Sequence, residues 1–137
     1  MKDKIKIHII FRTCDKVNAV HGSPRPFGLD KISLIKLCFK SLVLALKNVD
    51  HTIYVVADDI SIELKIFFQL YNIQLIEGVY GNDNSIRETF KIASSIPSND
   101  YIYFCEDDYL HTPDCFEKIT HLIANYHEII PGRIKLN

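Results

Sequence analysis

The chain is 137 residues long, 47% hydrophobic and 24% charged, with 16 basic against 17 acidic side chains, which is the composition of a globular domain and excludes a disordered tail. A formal net charge of -1 and a pI near 6.6 provide no basic field for counterion-release binding, so generic nucleic-acid binding is not expected. The longest uncharged stretch, Ile66 to Ile76, falls far short of the roughly 20 apolar residues of a membrane span.

A chain of this length buries roughly two-thirds of the surface its unfolded form exposes, enough for one core, so residues 1–137 are expected to form a single domain. The start, MKDKIKIHIIF, carries charges but no small-residue cleavage site, and reads as mature, cytoplasmic protein. Cys14, Cys38, Cys105 and Cys115 form no C-x-x-C pair; Cys38 and Cys105 lie in apolar runs and read as reduced core residues. The six histidines are scattered along the chain and read as solvated or locally bonded side chains.

Strand-like and helix-like patterns alternate from end to end. Ile5, Ile7, Ile9 and Phe11 alternate with Lys6, His8 and Ile10 in a first strand, stopped by Arg12-Thr13-Cys14-Asp15. A loop turning at Gly22-Ser23-Pro24-Arg25-Pro26 and Gly28 follows. From Asp30 to Asn48, Ile32, Ile35, Phe39, Leu42, Val43 and Leu46 recur at helical spacing opposite Lys31, Lys36, Lys40 and Lys47. Thr52 to Ala57 is β-branched and aromatic, a second strand that ends directly in Asp58-Asp59.

Ser61 is a cap for a helix bearing Leu64, Phe67, Phe68 and Tyr71, and Ile73 to Ile76 is a short third strand. Ser85 with Glu88 three residues on reads as a capping box opening a helix with Ile86, Phe90 and Ala93 on one side. Tyr101 to Cys105 is continuously apolar or aromatic, as expected of a strand buried on both faces, and runs into Glu106-Asp107-Asp108. Thr112-Pro113 offers a cap and a first-turn proline for a last helix carrying Phe116, Ile119, Ile123 and Tyr126.

The order βαβαβαβα predicts an α/β fold with right-handed crossovers and a mainly parallel sheet between helical layers, α/β/α. Polar residues after each strand then gather along one edge, where such sheets bind ligands. That edge would carry Arg12, Thr13, Asp58, Asp59, Glu106, Asp107 and Asp108.

Three consecutive carboxylates repel one another by about 1 to 4 kcal/mol per pair at about 4 Å, and a divalent cation reverses the sign. Oxygen-only ligands suit Mg²⁺ or Mn²⁺, which complete their coordination with water and phosphates. A solvated acidic turn is the other reading of Glu106-Asp107-Asp108. Asp58 or Asp59 could accept hydrogen bonds from a ribose or a base, or Asp59 could cap the following helix. Arg12 and Arg25 could neutralise a diphosphate or be surface arginines, the surface reading standing ahead for Arg25.

Strand-R-T-x-D, strand-A-D-D, G-N-D-N-S before a helix, and N-D-Y-I-Y-F-C-E-D-D-Y before T-P and a helix together resemble the nucleotide-sugar-binding half of the GT-A fold glycosyltransferases, nearest the large family 2. The resemblance runs from about Lys4 to Tyr126, and Asp100 to Asp108 is its most specific part. It implies a strand order of 3-2-1-4 and a donor such as a UDP-sugar. Asp108 would hold a Mn²⁺ or Mg²⁺ ion on the diphosphate, with Glu106 in the first acidic place of a D-x-D-like motif and Asp107 between them. Asp58 or Asp59 would touch the base or ribose, and Thr13 and Arg12 would lie against the nucleoside.

The chain would thus be a glycosyltransferase-type domain without an acceptor-binding half, and no residue matches the family's carboxylate base. The acceptor is not implied. The competing readings are a non-catalytic nucleotide-binding or receiver-like module, and a Mg²⁺-dependent phosphotransferase.

Overall fold

A computed structural model describes residues 4–16 and 28–129. The loop expected around Gly22 to Pro26, with Arg25, lies outside the described residues, as does the side chain of Tyr126. The elements follow the expected order: β1 (Lys6–Thr13), α1 (Lys31–Ala45), β2 (Asp50–Asp58), α2 (Ile62–Gln69), β3 (Gln74–Gly78), α3 (Asn82–Ser94), β4 (Tyr101–Glu106) and α4 (Cys115–Ile129). The four strands form one sheet in the order β3-β2-β1-β4, parallel throughout. The α/β class and the 3-2-1-4 order are therefore those expected.

Alternation along the strands divides the sheet into two unlike faces. Ile7, Ile9 and Phe11 of β1, Ile53, Val55 and Ala57 of β2, and Cys105 of β4 point to one face. There they pack with Ile35, Phe39 and Leu42 of α1, Leu64, Phe67 and Phe68 of α2, and Phe116 of α4. Phe39 is the hub, fully buried, with its ring edge-on to those of Phe11, Phe67, Phe68 and Tyr71 at 5.0 to 5.8 Å. Each such pair adds to the stabilisation from burial alone.

The other face carries His8, Ile10 and Arg12 of β1 and Val56 and Asp58 of β2. It is covered by α3, whose buried positions are Ser85 and Thr89. The result is three layers, α1, α2 and α4 on one side of the sheet and α3 on the other.

Two local expectations are corrected. β4 is not buried on both faces: Ile102 is 37% and Phe104 45% exposed. Among the described strands β4 pairs only with β1, and α3 lies over β1 and β2, so the outer half of that face is left open apart from the Phe90 ring, 5.6 Å from that of Phe104.

Ser85 does not open α3. The helix starts at Asn82 after Gly81, which holds φ 78° as its cap, a left-handed conformation that glycine adopts without strain. The carboxylate of Asp58 fixes this start by accepting from the backbone N–H of Tyr80 at 2.7 Å and of Gly81 at 3.2 Å. Other caps follow the sequence: Asp30 accepts from Ser33 N at 2.7 Å and Ser61 from Leu64 N at 3.4 Å.

Candidate functional site

In a 3-2-1-4 sheet the connections leave β1 towards β2 on one side, while β4 lies on the other. The loops after β1 and β4 therefore part and leave a crevice at the carboxyl ends of the strands. A cleft of about 140 Å³ occupies this position, lined by Arg12, Thr13, Cys14, Lys31, Asp58, Asn82, Ser85, Glu106 and Asp107. Five of the seven residues expected along this edge are brought together here. The other two stand apart.

Arg12 and Glu106 are direct neighbours in register and on the same face. Oε1 of Glu106 accepts from Nη2 at 3.0 Å and from Nε at 3.3 Å. Nη1 of Arg12 donates to Asn82 Oδ1 at 3.1 Å and to Ser85 Oγ at 3.0 Å. Four of about five guanidinium N–H donors are thus committed to protein oxygens, and Arg12 ties the end of β4 to the first turn of α3. This contact explains why Ser85 sits buried inside α3 instead of capping it: its hydroxyl donates to Asn82 O at 2.8 Å while accepting from Arg12.

Thr13 and Asp107 meet on the opposite side of the strand ends. Oδ2 of Asp107 accepts from the Thr13 hydroxyl at 3.0 Å and from Cys14 N at 3.3 Å. Burial, with the neighbouring charge of Asp108, pushes the Asp107 carboxyl above its ordinary range; the charge of Lys31 and the hydrogen bonds from Cys14 N and the Thr13 hydroxyl oppose that rise. Desolvation of the charged form outweighs these favourable contacts.

Asp58 and Asp59, which the sequence leaves as alternatives, have different environments. Asp58 lines the cleft and is 7% exposed. Both of its hydrogen bonds fall on Oδ1, so loop 80–81 orients the carboxylate without using Oδ2. Asp59 leaves the cleft lining: it takes φ 50° and pairs with Lys16 Nζ at 2.8 Å, its side chain 44% exposed. The turn is tight because Asp59 N donates to Gly78 O at 2.7 Å, and a Cβ at Gly78 would run into the Tyr80 ring. Asp15 binds Ser61 N through both carboxylate oxygens, at 3.1 and 3.2 Å, and so straps the loop after β1 to the start of α2.

Asp108 is exposed and lies outside the cleft lining. Among the described residues no group of three or more His, Cys, Asp or Glu is placed to hold a metal ion. Glu106 uses one oxygen on Arg12, and no hydrogen bond to Asp108 is formed among the described residues. Mg²⁺ characteristically takes only one or two carboxylates and fills its coordination with water and substrate phosphates. Any ion at Glu106 and Asp108 would therefore depend on ligand and water oxygens to complete its coordination.

Lys31, Asn82 and Ser85 belong to the site but were not singled out as functional by the sequence. Lys31 reads there as the polar side of an amphipathic helix, and Asn82 and Ser85 as turn and cap. The available signal was topological: a helix that follows a strand in this fold begins at the ligand-binding edge. No protein-family model matches the chain, and no curated protein matches it significantly.

Proposed function

We propose that the chain is a donor-binding domain of glycosyltransferase type, taking a nucleoside diphosphate sugar, UDP-sugar first among candidates, together with Mn²⁺ or Mg²⁺. One observation carries the reading: Arg12, Thr13, Asp58, Glu106 and Asp107, contributed by three strand ends, line one cleft at the switch point of a 3-2-1-4 sheet. Charge adds support. Two cationic side chains face three carboxylates in the lining, leaving one net negative charge when all are ionised, so a diphosphate needs an accompanying cation to bind.

Each residue has a task in this reading. Oδ2 of Asp58 accepts from a base N–H or a ribose hydroxyl, its orientation set by the backbone N–H groups of Tyr80 and Gly81. Thr13 and Asp107 wall the opposite side. Glu106 and Asp108 would hold the divalent cation, which when bound supplies Lewis-acid stabilisation of the departing diphosphate. Arg12 keeps Glu106 and the start of α3 in register with β1. At about 140 Å³ the cleft is smaller than the roughly 300 Å³ at which whole-ligand sites begin, so it accommodates part of a donor.

The test is calorimetric titration with a panel of nucleoside diphosphates and their sugars, with and without Mn²⁺, followed by Asp108→Asn. Metal-dependent diphosphate binding that falls at least about tenfold in the well-folded variant is the expected result. Preference for triphosphates or phosphoesters would favour a phosphotransferase. Indifference to all nucleotides would leave a receiver-like module.

A further inference from the structure

The cleft contains two cationic side chains, and the structure gives them unlike surroundings. Arg12, the obvious candidate from the sequence for meeting a diphosphate, is bonded to Glu106, Asn82 and Ser85. Moving it onto a ligand would break its bonds to Glu106, Asn82 and Ser85 and release the start of α3 from the end of β4. Lys31 lines the same cleft, and its side chain makes no hydrogen bond or ion pair among the described residues. It is the first residue of α1, where the positive end of the helix dipole adds to its own charge. Its charge acts on Asp107, whose Oδ2 is already taken by Thr13 and Cys14.

We propose that Lys31 is the residue that contacts the ligand's phosphate, and that Arg12 is a positioning residue which never leaves the protein's own oxygens. This assignment rests on the nucleoside diphosphate reading above. An ammonium on a four-carbon stem suits the task, since it presents three rotatable donors and can follow a phosphate without disturbing the fold. Arg12, by contrast, is fixed by a planar fork of donors. A phosphate placed on Lys31 also lies near Asp107, so an accompanying divalent cation is needed to offset that repulsion.

The experiment compares wild type, Lys31→Met and Lys31→Arg in calorimetric and NMR titrations. The probes are the diphosphate, monophosphate and free nucleoside of uridine, guanosine, adenosine and cytidine, all with Mg²⁺. Lys31→Met is expected to weaken diphosphate binding about 10- to 100-fold, the size of a charge-assisted contact. It is expected to leave the free nucleoside within about threefold, and Lys31→Arg is expected to restore most of the diphosphate affinity. Equal diphosphate affinity in wild type and Lys31→Met overturns the proposal, as does an equal loss for nucleoside and diphosphate, which would show that Lys31 only shapes the cleft. Failure of wild type to bind any nucleoside diphosphate is a separate outcome: it removes the underlying reading, and the role of Lys31 with it.

Discussion

The two faces of the sheet share the same four strands and differ in almost everything else. On the face covered by α1, α2 and α4, β1 contributes Ile7, Ile9 and Phe11 to a continuous aromatic and aliphatic core. On the face covered by α3, the same strand contributes His8, Ile10 and Arg12. There His8 is 5% exposed and bonded to Asp100 at 2.8 Å, and Arg12 is drawn into the cleft network. Alternation places these residues on opposite sides of one backbone. The first face accounts for most of the apolar burial, whereas the second is thinly covered, leaves Ile102 and Phe104 half open, and presents charged groups at its carboxyl end. Apolar burial is thereby concentrated on the first face, whereas the cleft draws on both: Arg12, Asp58 and Glu106 from the second, Thr13, Asp107 and Lys31 of α1 from the first.

The largest effect expected from this division is on folding. Phe39→Ala removes the hub of the aromatic cluster and should cost about 3 to 5 kcal/mol in urea unfolding. Phe104→Ala, on the thinly covered face, should cost about 1 kcal/mol, chiefly through the lost contact with Phe90. Similar costs for the two would show that the faces contribute alike, and the comparison would fail.

A smaller effect sharpens the comparison at the site. Burial raises the carboxyl pKa of Asp107 above 3.8, so its protonated form is favoured by folding. The associated stability is fully present below the unfolded pKa and is lost as pH rises through the folded one. Asp107→Asn abolishes this titration while retaining an oxygen for Thr13 and Cys14. Thermal unfolding should therefore move in favour of the variant, relative to wild type, as pH rises from below 3.8 to neutral. An unchanged difference across that range would mean that Asp107 is solvated in the folded state.

The smallest expected change is in reactivity alone. Burial pushes the Cys38 thiol up to about 11 and raises that of Cys105, so both should resist a thiol reagent until the protein is denatured. Cys14, partly exposed at the cleft, should label first in the native protein. Rapid native labelling of Cys38 or Cys105 would place the aromatic face closer to solvent than its packing indicates.

Much of this architecture is legible in the sequence because it depends on local periodicity. Period-2 and period-3.6 patterns, with strand ends marked by Arg12, Asp58 and Glu106, are enough to order the elements, and a parallel α/β arrangement then sends those ends to one edge. Misreadings arose where a neighbour far along the chain decided the outcome. Ser85 with Glu88 satisfies the local pattern of a capping box, but Arg12, 73 residues away, and the carboxylate of Asp58 move the helix start to Asn82. Tyr101 to Cys105 has the apolarity of a central strand, yet β4 has β1 as its sole described neighbour.

The choice between Asp58 and Asp59 shows the same limit most plainly. Their side chains are chemically identical and adjacent, and only the turn fixed by the hydrogen bond from Asp59 N to Gly78 O directs one into the cleft and the other to Lys16. Which residues reach the carboxyl edge of the sheet is already written in the strand pattern and the handedness of the crossovers. Which of them face a common cleft, which are consumed by one another and which remain open to a ligand was decided only by tertiary structure, since hydrogen-bond partners far apart in sequence leave no periodic trace.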